Sequence, residues 1–335
     1  MRFMGRNFFC TVFVILGGAV GYSFIRTTLK AGASMKFHPN SYAALENFED
    51  LFVGDPSDIE KNMSDLLEQA HSLENKSIYL QILSQIALAQ AMQNKFEVAH
   101  KTLDTAQAEL IPEYKLARVR IVLERGRVFH QSDNIDKALL LFKESYELSE
   151  KEGFDFHTVN AAHMIAIVVK NSDEKIQWNN RAVDLAQKTQ DTRAHAWLGA
   201  LYNNLAQNYI EAERYSEAFS AFETCKKYAE ARNESIVVRG AQWGIGRALR
   251  SLGRLNEALE IQHALLKDYA EIAQKEELPV EMLVVGRGMV YEELAEIYSV
   301  ITKNYATLAY QDLSKNRWCR KLMSERIAKM KKLQK

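Results

Sequence analysis

The sequence predicts an all-α fold, an α-α superhelix of stacked helix pairs preceded by one transmembrane helix. Three observations indicate this fold. Among the 335 residues there are only four prolines and fifteen glycines, so few residues interrupt a helix. No run of alternating Val, Ile or Thr between turn residues suggests a strand. Small residues recur about every 40 residues, and such a fixed spacing is typical of helical repeats.

The first predicted element is the segment FFCTVFVILGGAVGYSFI, residues 8–25, which holds no charged residue. A helix of this length, at about 1.5 Å per residue, just spans a bilayer core. We expect a transmembrane or signal-anchor helix here, between a short flank at residues 1–7 and a linker at residues 26–45. The chain would then be a single-pass membrane protein, with the non-cytoplasmic side preferred for its soluble domain. A cleaved signal peptide giving a secreted form, and a mitochondrial targeting segment, are the alternatives.

The next elements are capping helices at residues 46–76 and about six helix pairs at residues 77–313. The capping helices begin with a capping box from Ser57 to Glu60. In each pair a small residue of the first helix faces an alanine of the second, because helices cross closely only where side chains are small. The small residues are Ala87, Gly126, Ala166, Ala206 and Gly246, and the alanines are Ala99, Ala138, Ala218 and Ala258. The third pair has Trp178 in place of alanine, which predicts a shortened or shifted turn.

This pattern resembles the tetratricopeptide repeat (TPR), which combines a small residue in helix A, an aromatic residue near the turn and alanine in helix B. Two segments resemble it in detail: NNLAQNYIEAERYSEAFSAFE, residues 203–223, and WGIGRALRSLGRLNEALEIQ, residues 243–262. The spacing is 40 residues rather than 34, which predicts helices about one turn longer per pair. The resemblance implies a solenoid whose first helices line a concave groove for a protein or peptide.

The residues of this groove are predicted by counting the small residue as position 8 and taking the inward positions 2, 5, 6, 9 and 12. The TPR resemblance implies that Asn204 occupies a position where many TPR grooves hold an asparagine whose amide can bind a peptide backbone, and Arg247 is expected to pair with a carboxylate of the partner. Simple hydration of the polar residues, and packing of Trp243 between helix pairs, are the alternatives. The predicted groove residues are Arg120, Arg127, Asn160, His163, Asn203, Asn204, Gln207, Trp243, Arg247, Glu292 and Glu296.

The C-terminal segment, residues 314–335, is strongly basic and carries apolar residues at three- and four-residue steps. It is predicted to form a helix that caps the last pair. Binding of this helix to anionic lipid is the alternative.

The charges and the absence of catalytic patterns exclude several classes of function. Residues 1–45 hold five bases and no acid, and residues 314–335 hold nine bases and one acid, which leaves 29 bases and 42 acids for residues 46–313. An acidic body is repelled by phosphates, so no nucleic-acid partner is expected. No GxSxG, HExxH or Walker pattern occurs, and three widely separated cysteines form no CxxC. We therefore expect no enzyme activity, no cofactor and no metal site.

These features predict a membrane-tethered TPR scaffold, an assembly or chaperone-adaptor factor that captures a segment of a partner protein in its groove. A ligand- or peptide-responsive regulatory sensor is the alternative, and a structural homo-oligomer is the third hypothesis.

Overall fold

The computed structural model describes residues 52, 54–72, 75–275, 278, 280–315 and 324–333. Within these ranges the regular secondary structure is helical, without a strand. The helices are α1 (Pro56–Ser72), α2 (Lys76–Met92), α3 (Phe96–Ala108), α4 (Lys115–Gln131), α5 (Ile135–Glu152), α6 (Asp155–Val168), α7 (Ser172–Lys188), α8 (Thr192–Ala196), α9 (Leu198–Glu211), α10 (Tyr215–Ala231), α11 (Ser235–Ser251), α12 (Leu255–Lys275), α13 (Val280–Lys315) and α14 (Ser324–Leu333).

The helices follow one another as pairs. The first, or A, helices are α2, α4, α6, α9 and α11, and the second, or B, helices are α3, α5, α7, α10 and α12. The chain divides into two compact units. The first comprises Met1–Glu213 and Thr224–Val238, and the second comprises Arg214–Glu223 and Arg239–Lys335. In the first unit α2 packs against both its B helix α3 and the next A helix α4, and α4 likewise contacts α5 and α6.

The residues predicted to mark the crossings are buried. Ala87, Ala206 and the four alanines of the B helices have no exposed surface, and Gly126, Ala166 and Gly246 are also buried. At Gly126 a Cβ atom would lie 2.6 Å from the ring of Phe142 in α5, which is itself fully buried. The side chain of α5 therefore occupies the space that the missing Cβ leaves in α4.

The third pair contains the shifted turn that Trp178 predicts. Helix α6 ends two residues after its small residue Ala166, whereas α2, α4, α9 and α11 end five residues after theirs. Helix α7 then begins at Ser172, capped by Asn171, whose side chain accepts a hydrogen bond from Glu174 N at 3.0 Å. Because of this earlier start Trp178 lies away from the crossing and packs edge-on against Tyr146, with ring centroids 5.3 Å apart.

Two predicted elements differ from the structure. Helix α1 is capped by Asp55, which accepts from Ser57 N at 2.9 Å, so the predicted capping box is not formed. Glu60 instead accepts from Gln90 of α2 at 3.0 Å and from Gln93, the residue after α2, at 2.7 Å, and so ties α1 to the first pair. The sixth pair is absent from the described residues: one helix, α13, runs from residue 280 to residue 315, because no glycine or proline in its second half stops it.

The predicted membrane localisation is wrong for the part of the chain that the structure describes. None of the described helices is both long enough and apolar enough to cross a bilayer. Even α13, with 36 residues, carries Arg287, Glu293 and Glu296 at intervals of one or two turns. Such charges are costly in hydrocarbon. The predicted anchor at residues 8–25 and its flanks lie outside the described residues.

Candidate partner-binding face

A buried polar network connects three successive A helices of the first unit. Gln85 of α2 donates from Nε2 to Glu124 Oε1 of α4 at 3.2 Å. Arg127, one turn further along α4, donates from Nη1 to both carboxylate oxygens of Glu124, at 3.0 and 3.1 Å. Its Nη2 donates to Asn160 Oδ1 of α6 at 2.7 Å. All four side chains are buried. We call the surface of α2, α4, α6 and α9 that carries these positions the A-helix face of the first unit.

The network determines what two of the predicted groove residues do. A buried guanidinium is tolerated only when its charge is paired and hydrogen-bonded, and Glu124 with Asn160 supplies both requirements. Arg127 and Asn160 therefore hold α4 and α6 in register. The charge of Arg127 and the amide oxygen of Asn160 are paired within the chain, so they are not the groups that a partner would contact first.

Asn204 occupies, on α9, the position that Gln85 and Glu124 occupy on α2 and α4. Gln85 and Glu124 are hydrogen-bonded to each other, whereas the side-chain nitrogen of Asn204 has no hydrogen-bond partner among the described residues. Asn204 lies two residues before the small residue Ala206, as Gln85 and Glu124 lie two residues before theirs. Its side chain is only 7% exposed, yet Nδ2 has no hydrogen-bond partner among the described residues. An unsatisfied buried donor of this kind costs about 1–3 kcal/mol. Asn203 is half-buried beside it, and Gln207 is buried one turn along α9.

His163 packs against aromatic side chains. It is buried in α6, and its ring lies edge-on to Trp197, with centroids 5.8 Å apart. Phe156 contacts the same indole ring at 5.6 Å. His163 therefore belongs to an aromatic cluster between α6 and the start of α9. Arg120 of α4 is also buried.

In the second unit the predicted groove residues divide into two groups. Trp243 of α11 donates from Nε1 to the carbonyl oxygen of Met289 in α13 at 3.1 Å, so it packs between helices. Arg247 lies over the same indole, 5.7 Å from its centroid. Glu292 and Glu296 of α13 are exposed. Trp243 and Arg247 therefore contact each other within the second unit, whereas Glu292 and Glu296 form an acidic surface.

Glu293, which is buried, and Arg250, which is partly exposed, form an ion pair in the second unit, and neither is among the predicted groove residues. Arg250 donates to Glu293 through both Nε and Nη2. Burial alone would lower the pKa of Arg250, but the hydrogen bond and the charge of Glu293 outweigh it and raise that pKa. The pair joins α11 to α13.

The residues that the prediction omitted were recoverable to different degrees. Gln85 follows from the same count on the first pair, in which Ala87 is position 8. Glu124 and Glu293 also lie at position 6 of their helices, but nothing in the sequence distinguishes a carboxylate paired across two helices from one that faces solvent. Arg250 follows from the same count as well, because it lies at position 12 of α11, four residues after Gly246.

Two features of the described residues concern metal binding and thiol reactivity. They contain no group of three or more His, Cys, Asp or Glu arranged to hold a metal ion. Cys225 is fully buried, and burial, together with the nearby charge of Glu234, raises the pKa of its thiol to about 12. A thiol with such a pKa is protonated at neutral pH and is a poor nucleophile.

Comparison with known families agrees with the geometry of the helix pairs. Residues 199–232, which comprise nearly all of α9 and the whole of α10, match the tetratricopeptide repeat model. This pair is similar to a tetratricopeptide repeat, and the fold around it is TPR-like. Repeats of this kind are typically non-enzymatic and mediate interactions between proteins.

Three solved structures resemble the chain at low sequence identity. BtubC (BKLC) from P. vanneervenii has a TM-score of 0.56 and 14% identity, over 64% of this chain and 91% of that chain. A Podosopora anserina protein with nearly identical TPR-like repeats has a TM-score of 0.48 and 17% sequence identity, over 58% of this chain and 97% of that chain. A Rap protein complexed with competence and sporulation factor has a TM-score of 0.47 and 14% sequence identity, over 95% of this chain and 97% of that chain. The first similarity supports the TPR-like fold and nothing finer. A comparison with curated proteins gave no match.

Proposed function

We propose that this TPR-like protein captures a segment of a partner protein on the A-helix face of its first unit, at Asn203 and Asn204. The observation that carries the proposal is the buried Nδ2 of Asn204, which has no partner among the described residues. Polar groups buried in proteins are nearly always hydrogen-bonded, so an unsatisfied one indicates a missing acceptor.

A main-chain carbonyl of an extended segment is the acceptor that suits this position. An asparagine amide offers two donors and one acceptor, which matches the alternating groups of a peptide backbone and requires no particular side chain. Asn203, half-buried on the same helix, offers a second amide at the edge of the site. Capture of this kind would be tolerant of partner sequence.

The equivalent positions on α2 and α4 support a site confined to α9. Gln85 and Glu124 are paired with each other through a 3.2 Å hydrogen bond, and Arg127 satisfies the remaining charge. A partner would have to break that buried ion pair to bind there, at a cost of several kcal/mol. At Asn204 no internal bond from Nδ2 has to be broken, so the same contact is favourable.

Retention of partners on immobilised full-length chain tests the proposal. Asn204→Ala should weaken retention about 3- to 10-fold, which corresponds to the loss of one hydrogen bond to a neutral group. The free energy of unfolding should be unchanged or slightly higher, because Nδ2 has no internal partner to lose. Asn256→Ala, on the exposed surface of α12, is the matched control and should retain partners as the unmodified chain does. Equal retention by Asn204→Ala and the unmodified chain would contradict the proposal.

A further inference from the structure

One face of α13 in the second unit is exposed to solvent. In the complete pairs, the A-helix face that carries the small residue is buried against the B helix. By the count that places Glu292 and Glu296 at positions 5 and 9, Ala295 is the small residue of α13. The small residues of the five A helices are all buried, but Ala295 is exposed. The difference arises because α13 continues as one helix to Lys315 and forms no B helix of its own.

The exposed face is a continuous apolar stripe. Val284, Gly288, Tyr291, Ala295 and Tyr298 recur at steps of three and four residues and so lie on one side of α13. Val284 is 53% exposed, Tyr291 58% and Tyr298 46%, all with α14 already packed on α13. Gly288 has no atom within 4 Å of where its Cβ would lie. Exposed aromatic residues grouped around small residues are typical of surfaces that bind other proteins.

The charges beside the stripe determine the kind of partner. Glu292 and Glu296 are both exposed and lie one residue after Tyr291 and Ala295, so they border one edge of the stripe over a full turn. Lys303 lies beyond Tyr298, and Arg287, on the side of the buried core, is only half exposed. The border of the stripe beside Tyr291 and Ala295 is therefore acidic. His263 of α12 contacts the hydroxyl of Tyr298 at 3.0 Å and borders one end.

We propose that this stripe docks a basic amphipathic helix of another protein, in the place that a B helix holds in the complete pairs. The docked helix would present a small residue to Ala295, as Ala258 is presented in the last complete pair, and a close approach is possible there because no large side chain intervenes. Lysine or arginine at the edge of that helix would pair with Glu292 and Glu296. The inference rests on α13 alone and does not depend on Asn204.

Two synthetic peptides provide matched probes. The first has the sequence of α12, Leu255–Lys275, a B helix with four acidic residues. The second has the same sequence with lysine at the four acidic positions, namely Glu257, Glu260, Asp268 and Glu271. The two peptides share one apolar face and differ in charge. Fluorescence anisotropy with the full chain should give a dissociation constant at least about tenfold lower for the lysine-substituted peptide, since rim charges change affinity by fractions of a kcal/mol each.

Variants of the protein test whether the basic peptide binds on this stripe. Ala295→Trp should abolish its binding, whereas Ala264→Trp, at an exposed alanine of α12, should leave it unchanged. Glu292→Lys with Glu296→Lys should remove the preference for the basic peptide. Asn204→Ala should bind both peptides as the unmodified chain does, so failure here is distinguishable from failure of the proposed function. The inference is overturned if neither peptide binds or if binding survives Ala295→Trp. It is also overturned if sedimentation shows a dimer of the protein that Ala295→Trp dissociates, because a second copy of the chain would then occupy the stripe.

Discussion

Glu124→Leu is expected to lower the free energy of unfolding by about 3–5 kcal/mol, the cost of leaving a buried charge without its partner. Arg127 would keep its guanidinium buried between α4 and α6, where its hydrogen bond to Asn160 would remain. Gln85 would lose its acceptor as well. Urea denaturation of the full chain followed by circular dichroism measures the effect.

Two further variants make the reason for this loss testable. Glu144→Leu, at an exposed position of α5, should change the free energy of unfolding by no more than about 0.5 kcal/mol. Adding Arg127→Met to Glu124→Leu should recover part of the loss, because an apolar pair of similar volume avoids the desolvation of both charges. If the single variant loses less than about 1 kcal/mol, the pair is not desolvated as the structure indicates.

Gly126→Ala is expected to destabilise the first unit by up to about 2 kcal/mol, although alanine is the better helix former. The added Cβ would lie 2.6 Å from the Phe142 ring and 3.3 Å from Leu141 Cβ, and Phe142 is fully buried and cannot move away. Overpacking of this kind costs about 1–3 kcal/mol, and the gain in helix propensity offsets about 1 kcal/mol of it. Thermal unfolding of the full chain measures the difference.

Gly288→Ala is the control, because it makes the same substitution within a helix and is expected to change the free energy of unfolding in the opposite direction. It lies on α13 with no atom near its Cβ position, so alanine should raise stability by up to about 1 kcal/mol. A loss at Gly288 equal to that at Gly126 would mean that the packing of Phe142 is not the cause.

The repeat was predictable from the sequence because close helix crossings impose small residues at a fixed spacing. The shifted turn of the third pair was also predictable, since a tryptophan cannot occupy the place of Ala99 or Ala138. The continuous helix α13 was not predicted, because the spacing of its small and apolar residues still resembles that of a helix pair. Only the lack of a turn residue in its second half distinguishes a single long helix from a pair. The anchor predicted at residues 8–25 lies outside the described residues, and none of the described helices is long and apolar enough to cross a membrane.

The site was predictable only in part, for a physical reason. The register of a helix determines which residues share a face, so Arg127, Asn160 and Asn204 were expected together on the A helices. It does not determine how closely neighbouring A helices approach. That distance decides whether Arg127 reaches Asn160 at 2.7 Å, and whether Asn204 finds an internal acceptor.

Site-specific photo-cross-linking in the source cells locates the surface on which a partner is held. A benzophenone amino acid would replace Asn203, beside Asn204, and in a second chain it would replace the exposed Leu140 of α5. Capture at Asn204 predicts an adduct with another protein from position 203 that is absent from position 140 and that becomes about 3- to 10-fold weaker when Asn204→Ala is added. An adduct from position 140 alone, or one from position 203 that Asn204→Ala leaves unchanged, would contradict capture at this face.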